Sequence, residues 1–410
     1  MSIRSLRLGR VALALVLSFF AVSSAFAGPD APKNIILLVG DGMGPEQIKA
    51  AGLYGFGKAG SLSFESMPVK GEMITSPVFS KMGNITDSAA AGTAMATGKK
   101  VINGTLSMDE DGKPMPTVLE YYQSKGKRTG LVTTSYLCDA TPAAFAAHVG
   151  KRAELSDVAR QLLASKIDVL FGGGAFDSGF GPDDVRKAGY ETAVNRKEML
   201  AMKPAKDKRF AAPFCNGRMP FEYLYTTKAD KSYDEIPHLT EMAVKALELL
   251  DNENGFFVMI EGGNIDTAGH KNDLPANIYD TLEFDNAVRA VLKWAADRND
   301  TLVVVTADHE TGGLWIVRDN GKGKLPEVTW SSKGHTGTNV RVFAQGPGSE
   351  HIASVIDNTD IFHILKGDYK TATSRPVTSR PAPRPASTEP ASQPTTATTT
   401  PSPTSIYSAE

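Results

Sequence analysis

Five short apolar runs, alternating with helical stripes, constrain this chain more than any other feature. The runs are Asn34–Val39, Gly130–Thr134, Val169–Phe171, Phe256–Ile260 and Leu302–Thr306. They are β-rich and do not alternate with polar residues, as expected of strands buried on both faces. Between them, Leu239, Met242, Ala243, Ala246, Leu247 and Leu250 recur at helical spacing, and Phe284, Ala287, Val288, Val291, Leu292 and Ala295 do the same. Strand and helix in alternation predict an α/β fold: a three-layer sandwich with a central, largely parallel sheet and helices on both faces.

Composition narrows the class. The chain is 41% hydrophobic and 22% charged, with a net charge of −2. That is too apolar for a disordered chain and too evenly charged for a dedicated nucleic-acid binder. Two cysteines exclude a disulfide-dense scaffold and a cysteine-based zinc finger.

The ends differ from the middle. Residues 1–27 read as a cleaved signal peptide: Arg4, Arg7 and Arg10, then an apolar stretch from Val11 to Val22, then Ala25-Phe26-Ala27. The apolar stretch is too short for a spanning helix, and no later run reaches 18 apolar residues. The expectation is a soluble mature chain without a transmembrane segment, periplasmic or secreted. Residues 371–410 are rich in Ser, Thr, Pro and Ala and predict a disordered, solvated tail. Residues 28–370 are left for one large domain.

In largely parallel sheets, sites form at the carboxyl ends of strands. After the first run comes Asp41; after the second, Asp139 and Thr141; after the fourth, Glu261, Asp266 and His270; after the fifth, Asp308 and His309. One acid at a strand end is commonly a cap or turn residue. Four strand ends that each deliver acids or histidines point instead to cations, and this donor set suits Zn2+ and Mg2+. Asp266 and His270, one helical turn apart, can aim at one ion. His335, in Gly334-His335-Thr336-Gly337, sits in a flexible loop that can close a ligand shell.

A second signal is the segment Thr86–Gly98. Its alanines predict a helix starting at Ser88 and stopping at Gly98. Ser88 is then either a helix N-cap or a nucleophile, placed where amide groups and the helix dipole favour a phosphate.

Together these stretches resemble the alkaline phosphatase family. The resemblance rests on Val39–Gly44, Thr86–Ala94, Asp139–Arg152, Glu261–His270, Thr306–Gly313 and Gly334–Gly337, in the family's order. It implies hydrolysis of phosphate monoesters through a phosphoserine on Ser88, with Arg152 clamping the phosphate. It also implies two zinc ions and one magnesium: Asp266, His270 and His335 on one zinc, Asp308 and His309 on the other, and Asp41 reaching from there to a magnesium held by Thr141 and Glu261. Asp139 would lie in the outer shell of that magnesium.

The chain departs from the family pattern in three places, one of them the compact segment between Arg152 and Glu261. Thr267 stands where the best-known bacterial members have Lys. Only 25 residues separate His309 from His335, so the large insertion many relatives carry there is missing, along with any dimer contact it makes. A homodimer is compatible with the resemblance but does not follow from these residues. Cys138 and Cys215 read equally as a bridge or as free thiols. A diesterase or sulfatase of the same superfamily, and a phosphate-binding protein without turnover, are the alternatives; Thr141, Glu261, Arg152 and Ser88 favour a monoesterase.

Overall fold

Ten strands build one sheet in the computed structural model, which describes residues 32–78, 84–227 and 234–369. The expected signal peptide and tail lie outside these residues. In chain order the strands are β1 (Asn34–Gly40), β2 (Val69–Ile74), β3 (Arg128–Tyr136), β4 (Val169–Gly174), β5 (Glu191–Thr192), β6 (Phe210–Asn216), β7 (Phe256–Gly262), β8 (Thr301–Thr306), β9 (Glu310–Thr311), β10 (Leu314–Arg318), β11 (Glu327–Trp330), β12 (His335–Thr336), β13 (Val340–Gln345) and β14 (Val355–Asp357). The main sheet runs β14-β2-β13-β8-β1-β7-β3-β4-β6-β5. From β8 to β5 every pairing is parallel. β13 alone runs against its neighbours.

All five apolar runs are strands, and β1, β4, β7 and β8 are buried at every residue. Successive side chains point to opposite faces, so both faces are covered. The covering helices form two packed groups. One contains Pro45–Phe56, Leu239–Leu250 and Leu274–Ala295; the other contains Ser88–Thr97, Val118–Ser124, Ala140–Ala144 and Asn358–Lys366. Both predicted apolar stripes are therefore helical and face the core. On β7, Phe257 packs against Tyr122 at 5.9 Å and Phe145 at 6.0 Å between ring centroids. Truncating such a buried ring costs about 3–5 kcal/mol.

Strands β2, β5, β6, β13 and β14 were not read from the sequence. β6, Phe-Ala-Ala-Pro-Phe-Cys-Asn, carries a proline and two alanines that weaken a strand signal. β2 and β13 mix polar with apolar residues near the far side of the sheet.

The register sets the site. Val39 of β1 is level with Glu261 of β7 and with Thr306 of β8, and Thr133 of β3 is level with Glu261. The carboxyl ends of four adjacent strands thus finish together. Two short strands complete this edge: β12 pairs with β9, placing His335 opposite Thr311. Among the described residues no helix is long and apolar enough to cross a membrane.

Candidate active site

Each ligand candidate is delivered by the end of an element. Asp41 follows β1, Glu261 ends β7, and Asp308 and His309 follow β8. Asp266 and His270 lie on the helix Asn264–Lys271, and Thr141 on the short helix Ala140–Ala144. His335 is carried by β12. Asp41, Thr141, Glu261, Asp266, Asp308 and His309 are all buried.

Two ligand groups result. The donor atoms of Asp266, His270 and His335 lie within 4.8 Å of one another, and so do those of Asp41, Asp308 and His309. In the first group His335 Nε2 is 3.2 Å from His270 Nε2 and 3.5 Å from Asp266 Oδ1. In the second, His309 Nε2 is 3.2 Å from Asp308 Oδ2 and 3.5 Å from Asp41 Oδ1. The groups touch through the stacked rings of His309 and His335, 3.6 Å between centroids.

The far nitrogens of these rings fix their orientation. His335 Nδ1 donates to the Thr86 carbonyl at 2.8 Å, and His270 Nδ1 to the Lys333 carbonyl at 2.5 Å. A carbonyl only accepts, so each Nδ1 carries a proton and each Nε2 is turned to the shared centre. This is the arrangement typical of metal-ligating histidines.

Electrostatics agree with a cation site. Burial, then Asp308, Asp266 and Glu261, raise the Asp41 carboxyl well above its usual range. Burial and then Asp139 push Glu261 to about 8, and burial pushes Asp308 to about 6. Burial also opposes ionisation of Asp266, but the His335 bond and three imidazoles hold it below the usual carboxylate range. Burial and His335 keep His309 neutral, with a pKa well below the ordinary imidazole value. The buried oxygens Asp41 Oδ1, Asp308 Oδ2 and Thr141 Oγ1 have no hydrogen-bond partner. Crowded carboxylates, a neutral imidazole and orphaned oxygens at ligand positions fit metal ions. The nitrogen-containing groups suit zinc, and the oxygens of Asp41, Thr141 and Glu261 suit magnesium.

Ser88 stands at the seam. The helix Ser88–Thr97 starts and stops as the sequence predicts, but its N-cap is Asp87, whose side chain accepts from Ala90 N at 2.9 Å. Ser88 is therefore not spent on capping. Its Oγ is buried, 3.2 Å from His309 Nε2. A cavity of about 390 Å³ opens beside it, lined by Arg152, Asp266, Thr267, His270 and His335 among others. Arg152 Nη2 pairs with Asp139 Oδ1 at 2.8 Å, and Nη1 lies 3.4 Å from Asp87 Oδ2. Asp139, despite its burial, is held at about 2 by Arg218 and Arg152.

Several residues here were missed by sequence reasoning. Thr133 donates to Glu261. Ser135 Oγ donates to Asp139 Oδ2 at 2.6 Å. Thr311 bonds Asp266, and Arg218 lines the cavity. Arg218 follows β6, so the strand-end rule would have found it had the strand been read. Thr311 lies two residues beyond His309, inside a matched motif. Cys138 and Cys215 are both free thiols. A further group, Glu222, His238 and Glu283, is outside this cavity. Its imidazole is already bonded to Glu222 Oε1 at 2.9 Å.

Comparison with known proteins agrees with the geometry. The family described as Alkaline phosphatase matches residues 32–323 and 319–370. The chain is similar to alkaline phosphatase of Escherichia coli (strain K12), 32% identical over 82% of this chain and 85% of that protein. It is similar to alkaline phosphatase 3 of Bacillus subtilis (strain 168), 33% identical over 81% of this chain and 88% of that protein. Among solved structures, the alkaline phosphatase from the Antarctic bacterium TAB5 superposes with a TM-score of 0.70 at 29% identity, covering 82% of this chain and 98% of the other. The matched span runs through every strand that delivers a ligand candidate, and this chain belongs to the alkaline phosphatase family of metal-dependent phosphate-monoester hydrolases.

Proposed function

We propose that this enzyme hydrolyses phosphate monoesters by way of a phosphoserine on Ser88. The observation that carries the reading is the position of Ser88 Oγ, uncommitted to capping and 3.2 Å from His309 Nε2, where the two ligand groups meet. Asp266, His270 and His335 would hold one zinc; Asp308 and His309 would hold the second, with Asp41 shared between it and a magnesium held by Thr141 and Glu261. When bound, these ions supply Lewis acidity, lowering the pKa of a hydroxyl and stabilising charge on leaving and attacking oxygens.

The chain's own residues do the rest. Arg152 offers a planar fork to two phosphoryl oxygens, held in place by Asp139. Ser88 Oγ attacks phosphorus in line and the alcohol departs; water then attacks the phosphoserine, releasing inorganic phosphate and restoring the hydroxyl. The amide groups at the start of the Ser88 helix favour the phosphate's charge. His309, neutral through burial, keeps its Nε2 lone pair available to a cation beside Ser88.

Export belongs to the same reading: residues 1–27 would be removed, leaving a periplasmic or secreted chain. N-terminal sequencing of the mature protein would then begin at Gly28. Ser88→Ala tests the chemistry. Aryl phosphate turnover should fall by at least about 10³-fold while zinc and magnesium content stays that of the wild type. Near wild-type turnover would sink the proposal.

A further inference from the structure

Arg218 stands in the wall of the Ser88 cavity and has no part in the reading above. It follows the Asn216-Gly217 turn at the carboxyl end of β6. Its guanidinium is fastened on several sides. Nη2 pairs with Asp139 Oδ2 at 2.8 Å, Nη1 donates to Ser135 Oγ at 2.8 Å and reaches the Gly263 carbonyl at 3.5 Å, and the group lies 5.7 Å from the Tyr136 ring centroid. Hydrogen bonds engage Nη1 and an ion pair engages Nη2, and among the described residues Nε has no hydrogen-bond partner. About 30% of the side chain remains exposed.

Asp139 links it to Arg152. One carboxylate oxygen takes Arg152 Nη2 at 2.8 Å and the other takes Arg218 Nη2 at 2.8 Å. A single buried acid thereby fixes two planar forks along one cavity wall. Thr267, which also lines the cavity, brings no charge, and Lys271 brings a flexible one. Fixed forks with spare donors suit a tetrahedral oxyanion better than mobile point charges do.

We propose that Arg218 is a second phosphate-binding residue, contacting the phosphoryl group together with Arg152, with Asp139 setting the spacing of the two forks. The assignment rests on the phosphoryl-transfer reading of the cavity.

The test uses the metal-loaded, full-length enzyme. Inorganic phosphate affinity is measured by calorimetry, and kcat and KM with an aryl phosphate, for wild type, Arg218→Ala, Asp139→Asn and the double variant. Arg218→Ala should weaken phosphate binding and lower kcat/KM by about 10- to 100-fold with metal content unchanged. Unchanged phosphate affinity overturns the proposal. If Arg218 only neutralises Asp139, removing that charge as well will restore phosphate affinity to within about twofold of Asp139→Asn, and this result also overturns it. Should Arg218→Ala lose its metals or its fold, Arg218→Gln, of similar reach and no charge, is judged by the same affinity criterion. A wild type that binds phosphate but leaves the aryl ester intact would sink the Ser88 reading alone, since the affinity measurement still judges Arg218.

Discussion

The Thr311 hydroxyl donates to Asp266 Oδ1 at 2.5 Å. Having given its proton there, the same oxygen accepts from His309 Nδ1 at 3.3 Å. One side chain thus orients a ligand candidate in each group and leaves His309 Nε2 facing Ser88. Thr311→Val keeps the shape and removes both bonds. Partners of this kind cost about 10–100-fold in metal affinity or activity when lost. Competition with a graded zinc chelator should show that weakening, and wild-type affinity would show that the hydroxyl is dispensable.

Metal removal should expose the crowding of the acids. In the metal-free chain Glu261 is pushed to about 8 by burial and then Asp139, Asp308 to about 6, and Asp41 is raised as well. Between the ordinary carboxylate range and about pH 8, the folded metal-free protein holds protons that the unfolded chain has released. Its stability therefore falls as pH rises through that window. Bound cations require the carboxylates ionised, so loading at pH 7 should release roughly one to two protons per chain. Calorimetry in buffers of different ionisation enthalpy counts them. The Tm of chelated protein should drop from pH 5 to 8 more steeply than that of loaded protein; parallel curves would contradict the argument.

Gly42 is a position only glycine fills. Its φ is +69°, and an added Cβ would lie 2.7 Å from Thr311 Oγ1 and 2.8 Å from Asp266 Cα. Its amide also donates to Asp308 Oδ1 at 3.1 Å. Gly42→Ala should cost about 1–2 kcal/mol from backbone strain alone, and it should lose zinc as the added methyl displaces Asp266. Tm and elemental analysis of one preparation test both parts.

The His148–Glu120 pair, outside the lining of the Ser88 cavity, predicts a separate pH effect. Burial opposes the His148 charge, but bonds to Glu120 and to the Ser107 carbonyl more than offset it, so its pKa is raised above 6.5. Glu120 is lowered from 4.5, its burial outweighed by His148 and Thr117. The histidine's contribution is fully present below its unfolded pKa and is lost as pH rises through the folded value. His148→Gln should therefore lower Tm at pH 6 and differ less from wild type at pH 8.5. A gap that stays constant with pH would refute the assignment.

The sequence carried the ligands further than it carried the sheet. Asp41, Glu261 and Asp308 were legible because β1, β7 and β8 are uninterrupted apolar strands whose ends can be counted. Arg218 was not, because Pro213 and the alanines of β6 hide the strand that presents it. Thr311 was invisible for another reason: it lies in β9, and no local pattern announces a two-residue strand. The capping role passed from Ser88 to Asp87 through one residue of helix phase, which separates a structural serine from a chemical one.

The pairing of β12 with β9 has a consequence for the life of the chain. His335 reaches back to the Thr86 carbonyl, 249 residues earlier, and it is the last of the ligand candidates to be synthesised. A polypeptide that stops short of it still contains seven adjacent parallel strands, from β8 to β5, but lacks a third of its first ligand group. With His335 as the ligand proposed above, hydrolysis would begin only once nearly all of the folded region has been made, and turnover would become a measure of completed synthesis.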